Sequence, residues 1–194
     1  FDCGPGNMII DAIVSIITQG RSNFDRNGAM SERGRISDAL LKKFLRHPFF
    51  RLQPPKTTGR ETFGQAYSQK FYQAGVSMGL SSVDIVATAT ALTAAAIADS
   101  YKNFLPVMPY QVILCGGGAR NRSLVKMLEQ KLTPARIMTT DKFGISSDAK
   151  EAVSFALLAW ATIKGIANNV PSATGAGKPA LLGKIIPADF SCRL

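Results

Sequence analysis

At 194 residues the chain is long enough to form one hydrophobic core and short for two independent ones. A hydrophobic fraction of 46% with 19% charged residues excludes a disordered chain, and polar side chains interrupt the longest apolar runs, so no membrane span is predicted. The net charge of +10 is spread along the chain without aromatic interleaving, which favours a basic surface or an anionic small-molecule ligand over nucleic-acid binding.

The cysteines indicate the cellular compartment, and the first residue indicates whether the chain is part of a longer protein. Three cysteines, at positions 3, 115 and 192, show no metal-ligand spacing and leave one unpaired, which indicates a reducing compartment. No leader with a charged and then an apolar segment opens the chain. The sequence begins with Phe1 in what looks like the end of a strand, so we expect it to be part of a longer protein.

The first predicted turn carries an aspartate. Residues 1–7 form a glycine-rich turn, and apolar residues at helical spacing predict a helix over residues 8–17 with Asn7 as its N-cap. Asp2 would then lie where a strand ends and a helix begins, the edge at which open α/β sheets bind ligands. From its position alone, Asp2 could bind Mg2+, act as a base or cap the turn.

A polar segment over residues 19–34 reads as a surface loop, and a short helix follows over residues 36–45. The PPKTTGRE segment at residues 54–61 contains Thr58 and Glu61 at the spacing of a capping box, which predicts a helix from Arg60 to about Gly75. Lys56 and Arg60 could reach an anion, or could simply be solvated cations on a rigid connector.

A second capping pattern at residues 81–84 opens an Ala- and Thr-rich helix that runs to about Lys102. Its small side chains predict a packing role. The strand over residues 111–114 then runs into Gly116, Gly117 and Gly118, and Asn121 caps the next helix. Such a turn brings backbone N–H groups close to a ligand, or needs glycine only to turn.

The last third repeats the alternation of strand and helix. A short strand is predicted over residues 135–139, a helix from about Asp148 to Lys164, and strand-like residues over 181–186. Glu151 lies in the first turn of that helix, where the helix dipole favours an ionised carboxylate. It could accept hydroxyl protons of a ligand or only compensate the dipole. No repeat or long linker divides the chain, so residues 1–194 are predicted to form one domain.

Together these segments resemble the C-terminal half of the anhydro-N-acetylmuramic acid kinase family, sugar kinases of the superfamily that includes actin and hexokinase. The resemblance covers nearly the whole chain in the family's order. The matching stretches are FDCGPGN (1–7), HP (47–48), PPKTTGRE (54–61), CGGGARN (115–121), DKFGI (141–145), DAKEA (148–152), PSATGA (171–176) and LGKI (182–185).

The resemblance implies a helix-rich α/β fold of the ribonuclease H-like, actin-like ATPase type. The chain would be the C-terminal lobe of a two-domain kinase, without the first strands of that lobe and without the N-terminal domain. The implied reaction opens the anhydro bond of 1,6-anhydro-N-acetylmuramic acid with water and phosphorylates O6, using ATP and Mg2+, in cytoplasmic recycling of cell-wall sugars. A homodimer is also implied, with the Ala-rich helix or the helix over residues 60–75 as candidate surfaces.

Site residues follow by the same resemblance. Asp2 would be the general base that activates the water. Glu151 would hold the sugar, together with Gly4 and Asn7 of the first turn. The nucleotide would rest on the glycine turn, made of Gly116, Gly117, Gly118 and Asn121. No residue of this chain is assigned to a metal.

The sequence also departs from the family's pattern, and these differences lead to further expectations. Residues 1–194 contain neither the phosphate loop of the family's first domain nor the paired glycines that open its C-terminal domain. Cys3 stands where Thr is more frequent, and Thr57 where Ser is usual. We therefore expect the isolated chain to be inactive. The alternative function is a non-catalytic sugar- or nucleotide-binding fragment or paralogue, and a nucleic-acid-binding domain would instead show salt-sensitive binding to DNA or RNA.

Overall fold

A computed structural model describes residues 1–186 and shows a helix-rich α/β fold. Within those residues, two strands and nine α-helices form, joined by short 3-10 turns. In chain order they are α1 (Met8–Ile17), α2 (Ala29–Arg33), α3 (Asp38–Leu45), α4 (Arg60–Phe63), α5 (Gln65–Ser77), α6 (Ser82–Phe104), β1 (Gln111–Leu114), α7 (Arg122–Lys131), β2 (Arg136–Thr139), α8 (Lys150–Ile163) and α9 (Pro171–Thr174). Cys192 lies outside the described residues.

Helix α6 is the central element. It begins with the predicted capping box, in which the Ser81 hydroxyl accepts from the Asp84 backbone N–H while the Asp84 carboxylate accepts from the Ser81 N–H. The carboxylate also accepts from the Arg35 N–H at 2.6 Å, and these hydrogen bonds, the one from Arg35 above all, lower the pKa of Asp84. The helix is long and apolar enough to cross a membrane, but 72% of its most apolar window is buried inside the protein, as in a core helix.

Two hydrophobic cores meet on α6. The first lies around its N-terminal half and contains residues of α1, α3, α4 and α5, among them Ile9, Ile13, Leu40, Phe63 and Phe71. The second lies around its C-terminal half and contains Ala94, Ala98, Val112, Leu124, Leu128 and Leu132. The packing role predicted for the Ala-rich helix is confirmed. Because so much of α6 is buried, it does not offer a surface for a dimer.

The sheet consists of β1 and β2, paired in parallel with Gln111 opposite Arg136 and Leu114 opposite Thr139. Helix α7 crosses between the two strands and packs against α6, so the glycine turn lies at the carboxyl end of β1. The predicted order of strand, glycine turn, helix and strand is confirmed. Within the described residues these are the only two strands, so the strands predicted for Phe1 and for residues 181–186 are wrong there.

Three local predictions fail for identifiable reasons. The loop predicted over residues 19–34 contains the short helix α2, because the buried Asp25 carboxylate accepts from the N–H groups of Met30 and Ser31 and so caps that helix. The helix predicted from Arg60 breaks at Gly64, whose ψ of −148° is not helical. The proposed capping box is absent because the backbone N–H of Thr58 is committed elsewhere.

Candidate active site

The Asp2 carboxylate is held by a segment far away in the sequence. Its Oδ2 accepts hydrogen bonds from the Thr57 hydroxyl and from the Thr58 backbone N–H, both at 2.8 Å. The Asp2 N–H donates to the carbonyl of Lys56 at 3.0 Å. Residues 56–58 therefore fix both the backbone and one carboxylate oxygen of Asp2. The other oxygen, Oδ1, has no hydrogen-bond donor among residues 1–186, and the side chain is exposed.

A small cavity of about 160 Å³ adjoins Asp2 and is lined in part by Gly4, Gly6 and Thr93. The Thr93 hydroxyl donates to the Gly6 carbonyl at 2.7 Å, which anchors the turn on α6. A Cβ added at Gly4 would lie 2.9 Å from the Phe50 ring and 3.1 Å from the Ala96 methyl. A larger residue there would force the Phe50 ring to shift, so Gly4 allows the turn that carries Asp2 to approach α6 closely.

The glycine turn follows β1 as predicted. Gly116 has a φ of +73°, in the left-handed region that favours glycine, and its N–H donates to the Ser147 carbonyl at 3.2 Å. A short 3-10 helix over Gly117–Arg120 leads to Asn121, whose Oδ1 accepts from the Leu124 N–H at 3.0 Å. The prediction of Asn121 as the cap of α7 is confirmed.

Asn7 does not cap α1. Its backbone is already helical, and its side chain makes no capping hydrogen bond. The side chain instead lies against the glycine turn, where a Cβ at Gly118 would be 3.1 Å from Asn7 Oδ1 and one at Gly117 would be 3.5 Å from Nδ2. The capping prediction is therefore wrong, and the first turn and the glycine turn meet through this side chain.

A second, larger cavity opens between these two turns. Its volume is about 630 Å³. It is lined by Asn7, Ile10, Asp11, Asn23, Phe24, Asp25, Arg26, Asn27, Gly117, Arg120, Asn121 and Asp148. Of the predicted site residues, Asn7, Gly117 and Asn121 line it, and Gly116 and Gly118 belong to the same turn. Asp2 and Gly4 line the smaller cavity, while Glu151 lines neither.

Two carboxylates of this cavity escaped the sequence reasoning. Asp11 follows Asn7 by four residues on α1, and burial together with the negative charge of Asp25 raises the pKa of Asp11 to about 6. Asp25 is buried and accepts three hydrogen bonds from Met30 and Ser31. The i, i+4 spacing from Asn7 was the one signal available for Asp11, whereas nothing local marks Asp25.

The approach to α8 is tied to the glycine turn. Arg120 forms an ion pair with Asp148, and both side chains are exposed. The Asp141 carboxylate accepts from the hydroxyl and N–H of Ser147, and these bonds lower the pKa of Asp141. Glu151 lies in the first turn of α8, as predicted, exposed and without a side-chain partner in the described part of the chain.

The family model for anhydro-N-acetylmuramic acid kinase matches residues 1–188. The chain belongs to this family. Its relatives include anhydro-N-acetylmuramic acid kinases of Caldanaerobacter subterraneus subsp. tengcongensis, 45% identical over 189 residues, of Acaryochloris marina, 45% over 185, and of Gloeobacter violaceus, 44% over 188.

These alignments cover 95% to 97% of the chain but only 47% to 49% of the relatives. The chain thus spans about half the length of the curated kinases it matches. The predicted resemblance to anhydro-N-acetylmuramic acid kinases is confirmed. All of the predicted site residues fall within the matched residues.

Proposed function

We propose that this chain is the C-terminal lobe, one domain over residues 1–194, of an ATP-dependent kinase that acts on 1,6-anhydro-N-acetylmuramic acid. Family membership and the half-length coverage of the relatives support this assignment. The parallel β1–α7–β2 unit with a glycine turn after β1 fits a ribonuclease H-like lobe without its first strands. The proposal includes the cytoplasm as the location, a homodimer as the assembly, and an isolated chain that is inactive.

The observation that carries the proposal is the arrangement around Asp2. Because Thr57 and Thr58 occupy Oδ2, the carboxylate is oriented and Oδ1 is left to accept a proton. In the proposed reaction, a water molecule gives a proton to Oδ1 as its oxygen bonds to C1 of the sugar, and the bond between C1 and O6 breaks. O6 then bonds to the γ-phosphorus of ATP, and the bond from that phosphorus to the bridging oxygen breaks, releasing ADP.

The large cavity is the proposed position of the nucleotide's adenosine. Gly116, Gly117 and Gly118 let the backbone approach the ligand, and the side chains of Asn7 and Asn121 bound the same space. The exposed Glu151 carboxylate is proposed to accept hydroxyl protons of the sugar, and Gly4 and Asn7 of the first turn are proposed to bind the same sugar. The missing N-terminal domain is proposed to complete the binding sites for the sugar and ATP.

Mg2+ is proposed to arrive with the phosphates of ATP, whose charge it neutralises. Residues 1–186 contain no group of three or more His, Cys, Asp or Glu side chains that could hold a metal ion. No residue of this chain is assigned to hold Mg2+, and no step of the proposed reaction is routed through the ion.

Asp2→Asn in the complete protein tests the base. The variant keeps an acceptor for Thr57 and Thr58 but cannot take up the proton, so sugar phosphorylation should fall by at least about a thousandfold while ATP binding stays close to normal. Phosphorylation is measured by coupled ADP release and ATP binding by calorimetry. Near-normal turnover would refute the assignment.

The alternative is a non-catalytic sugar- or nucleotide-binding fragment or paralogue. The wild-type complete protein distinguishes the two functions when ADP release is measured with anhydro-muramic acid and with ordinary hexoses. Binding of the anhydro sugar without ADP release would favour the binding protein. Turnover that requires the anhydro sugar would favour the kinase.

A further inference from the structure

Lys56 lies in a cage of aromatic rings. Its side chain is only 8% exposed, and Nζ lies 4.5 Å from the ring centroid of Phe104, 4.9 Å from that of Phe49 and 6.0 Å from that of Phe1. Nζ donates one hydrogen bond, to the Phe49 carbonyl at 3.2 Å. From the sequence, Lys56 could either reach an anion or be a solvated cation. Both interpretations are wrong, because the aromatic rings enclose its ammonium group.

A buried ammonium group is costly to keep without an acidic partner, and none lies within salt-bridge distance among residues 1–186. Burial accordingly lowers the pKa of Lys56. The three ring faces supply the compensation, because a cation over an aromatic face is attracted by the ring quadrupole, more strongly when water is excluded. The Lys56 side chain is therefore held in one position by the contacts of its ammonium group with the aromatic rings and with the Phe49 carbonyl.

The backbone of the same residue contacts the proposed base. The Lys56 carbonyl accepts the Asp2 N–H, and the next two residues supply both donors to Asp2 Oδ2. Residues 52–59 have no regular secondary structure, and Thr57 is exposed. The caged side chain is thus the buried anchor of a segment whose hydrogen bonds orient Asp2.

We propose that Lys56 is a positioning residue, whose caged ammonium group fixes residues 56–58 so that they orient the Asp2 carboxylate. The proposal rests on the proposed function of Asp2 as the base. It assigns Lys56 no contact with substrate, because Nζ faces Phe104, Phe49 and Phe1 and bonds to a carbonyl. A lysine that held a phosphate would direct its ammonium group at the phosphate rather than at three aromatic rings.

Lys56→Met in the complete protein is the first test, because methionine keeps most of the side-chain volume and removes the charge. We expect kcat to fall about tenfold or more, since small misplacement of a catalytic group is costly, while the KM for ATP changes less than twofold. A kcat equal to that of the wild type would overturn the proposal. So would a rise in the KM for ATP as large as the fall in kcat.

A double-mutant cycle separates positioning from general stabilisation. If Lys56 acts through the bonds to Asp2, adding Thr57→Val to Lys56→Met should lower kcat by clearly less than the product of the two single effects. Fully multiplicative effects would contradict action through those bonds.

Phe104→Leu tests the cage should Lys56→Met fail to fold. Removal of the nearest ring should lower kcat about threefold with the fold retained. Tyr110→Leu is the matched control, because it removes the ring 5.2 Å from the Arg136 guanidinium and should leave kcat unchanged. Equal kcat values for the two variants would overturn the role of the cage.

Hydrogen exchange supplies a readout that does not depend on activity. The N–H groups of Asp2 and Thr58 should exchange at least about tenfold faster in Lys56→Met than in the wild type, and unchanged protection would refute the positioning role. A wild-type protein that phosphorylates no anhydro sugar would refute the proposed function, whereas the exchange measurement would still decide whether Lys56 fixes the segment.

Discussion

The Thr57 hydroxyl is one of two donors to Asp2 Oδ2, and a side-chain substitution can remove it alone. Thr57→Val keeps the shape of the side chain and loses this hydrogen bond to a charged group, so kcat for the anhydro sugar should fall about tenfold. Thr57→Ser retains the hydroxyl and should stay within about twofold of the wild type. Equal losses in both variants, measured by steady-state kinetics of the complete protein, would show that the hydroxyl is unimportant.

Asp11 gives the protein a pH-dependent stability. A carboxyl group whose pKa is raised on folding, here to about 6, stabilises the folded protein at low pH, and this contribution is lost as the pH rises through about 6. Asp11→Asn should therefore raise the free energy of unfolding at pH 7.5, on the order of 1–2 kcal/mol after solvent screening, and change it little at pH 4.

Thermal unfolding of the complete protein between pH 4 and pH 8 measures this difference. Asp99→Asn, which removes an exposed carboxylate of α6, is the matched control. The same pH-dependent shift in both variants would rule out the environment of Asp11 as its cause.

Single residues also show where sequence reasoning ends. Asp2 could be named as a candidate because its turn and the helix after it are local patterns. The hydrogen-bond donors to its carboxylate could not be predicted, because Thr57 and Thr58 lie 55 and 56 residues away in the sequence. From its local sequence, Thr58 instead resembles a helix cap. The prediction that Asn7 caps α1 failed for the same reason. The glycine turn that its side chain contacts is more than a hundred residues away in the sequence.

At the scale of elements, Gly34 controls how α2 packs on the start of α6. A Cβ there would overlap the Val83 carbonyl and lie 2.9 Å from the Ala87 methyl. Gly34→Ala should cost about 2 kcal/mol or more of stability, because neither backbone nor helix can move away cheaply. Gly177→Ala adds the same methyl group where nothing lies within 4 Å and is the control. Similar denaturation midpoints for the two variants would contradict this packing argument.

Helices with strong local signals were the most predictable elements. The capping box of α6 and the cap of α7 involve residues only three apart, so their sequences determine them. The break at Gly64 was missed because glycine inside an apolar periodicity is often tolerated. Helix α2 was missed because the N–H groups of its first turn donate to Asp25, a buried residue in a stretch that otherwise reads as polar loop.

For the whole molecule, the exposed apolar side chains of α8 predict self-association of the isolated 194-residue chain. Phe155 and Ile163 are each 70% exposed, and Leu157 and Trp160 are more than half exposed. Exposed apolar patches on a protein surface are typical of interaction sites or of surfaces that cause aggregation. The isolated chain should therefore form oligomers or aggregates at micromolar concentrations, as measured by sedimentation velocity.

Charge introduced into this surface should reduce the association. Phe155→Lys with Ile163→Lys should raise the monomer fraction several-fold, whereas Gln73→Lys with Gln130→Lys adds the same charge at exposed polar positions and should have little effect. Equal gains in the two double variants would point to net charge as the cause, and a fully monomeric wild-type chain would refute the prediction.

Helix α6 has a consequence for motion. Its 23 residues form a rod about 34 Å long, and its two halves belong to different hydrophobic cores. The turn of Asp2 is anchored to this rod through Thr93, and the glycine turn is carried by α7, which packs against it. A hinge between the turn of Asp2 and the glycine turn would have to bend α6, most of whose residues are buried. The two turns should therefore move as one rigid body, so any closure over substrates should come from parts of the complete protein other than these two turns.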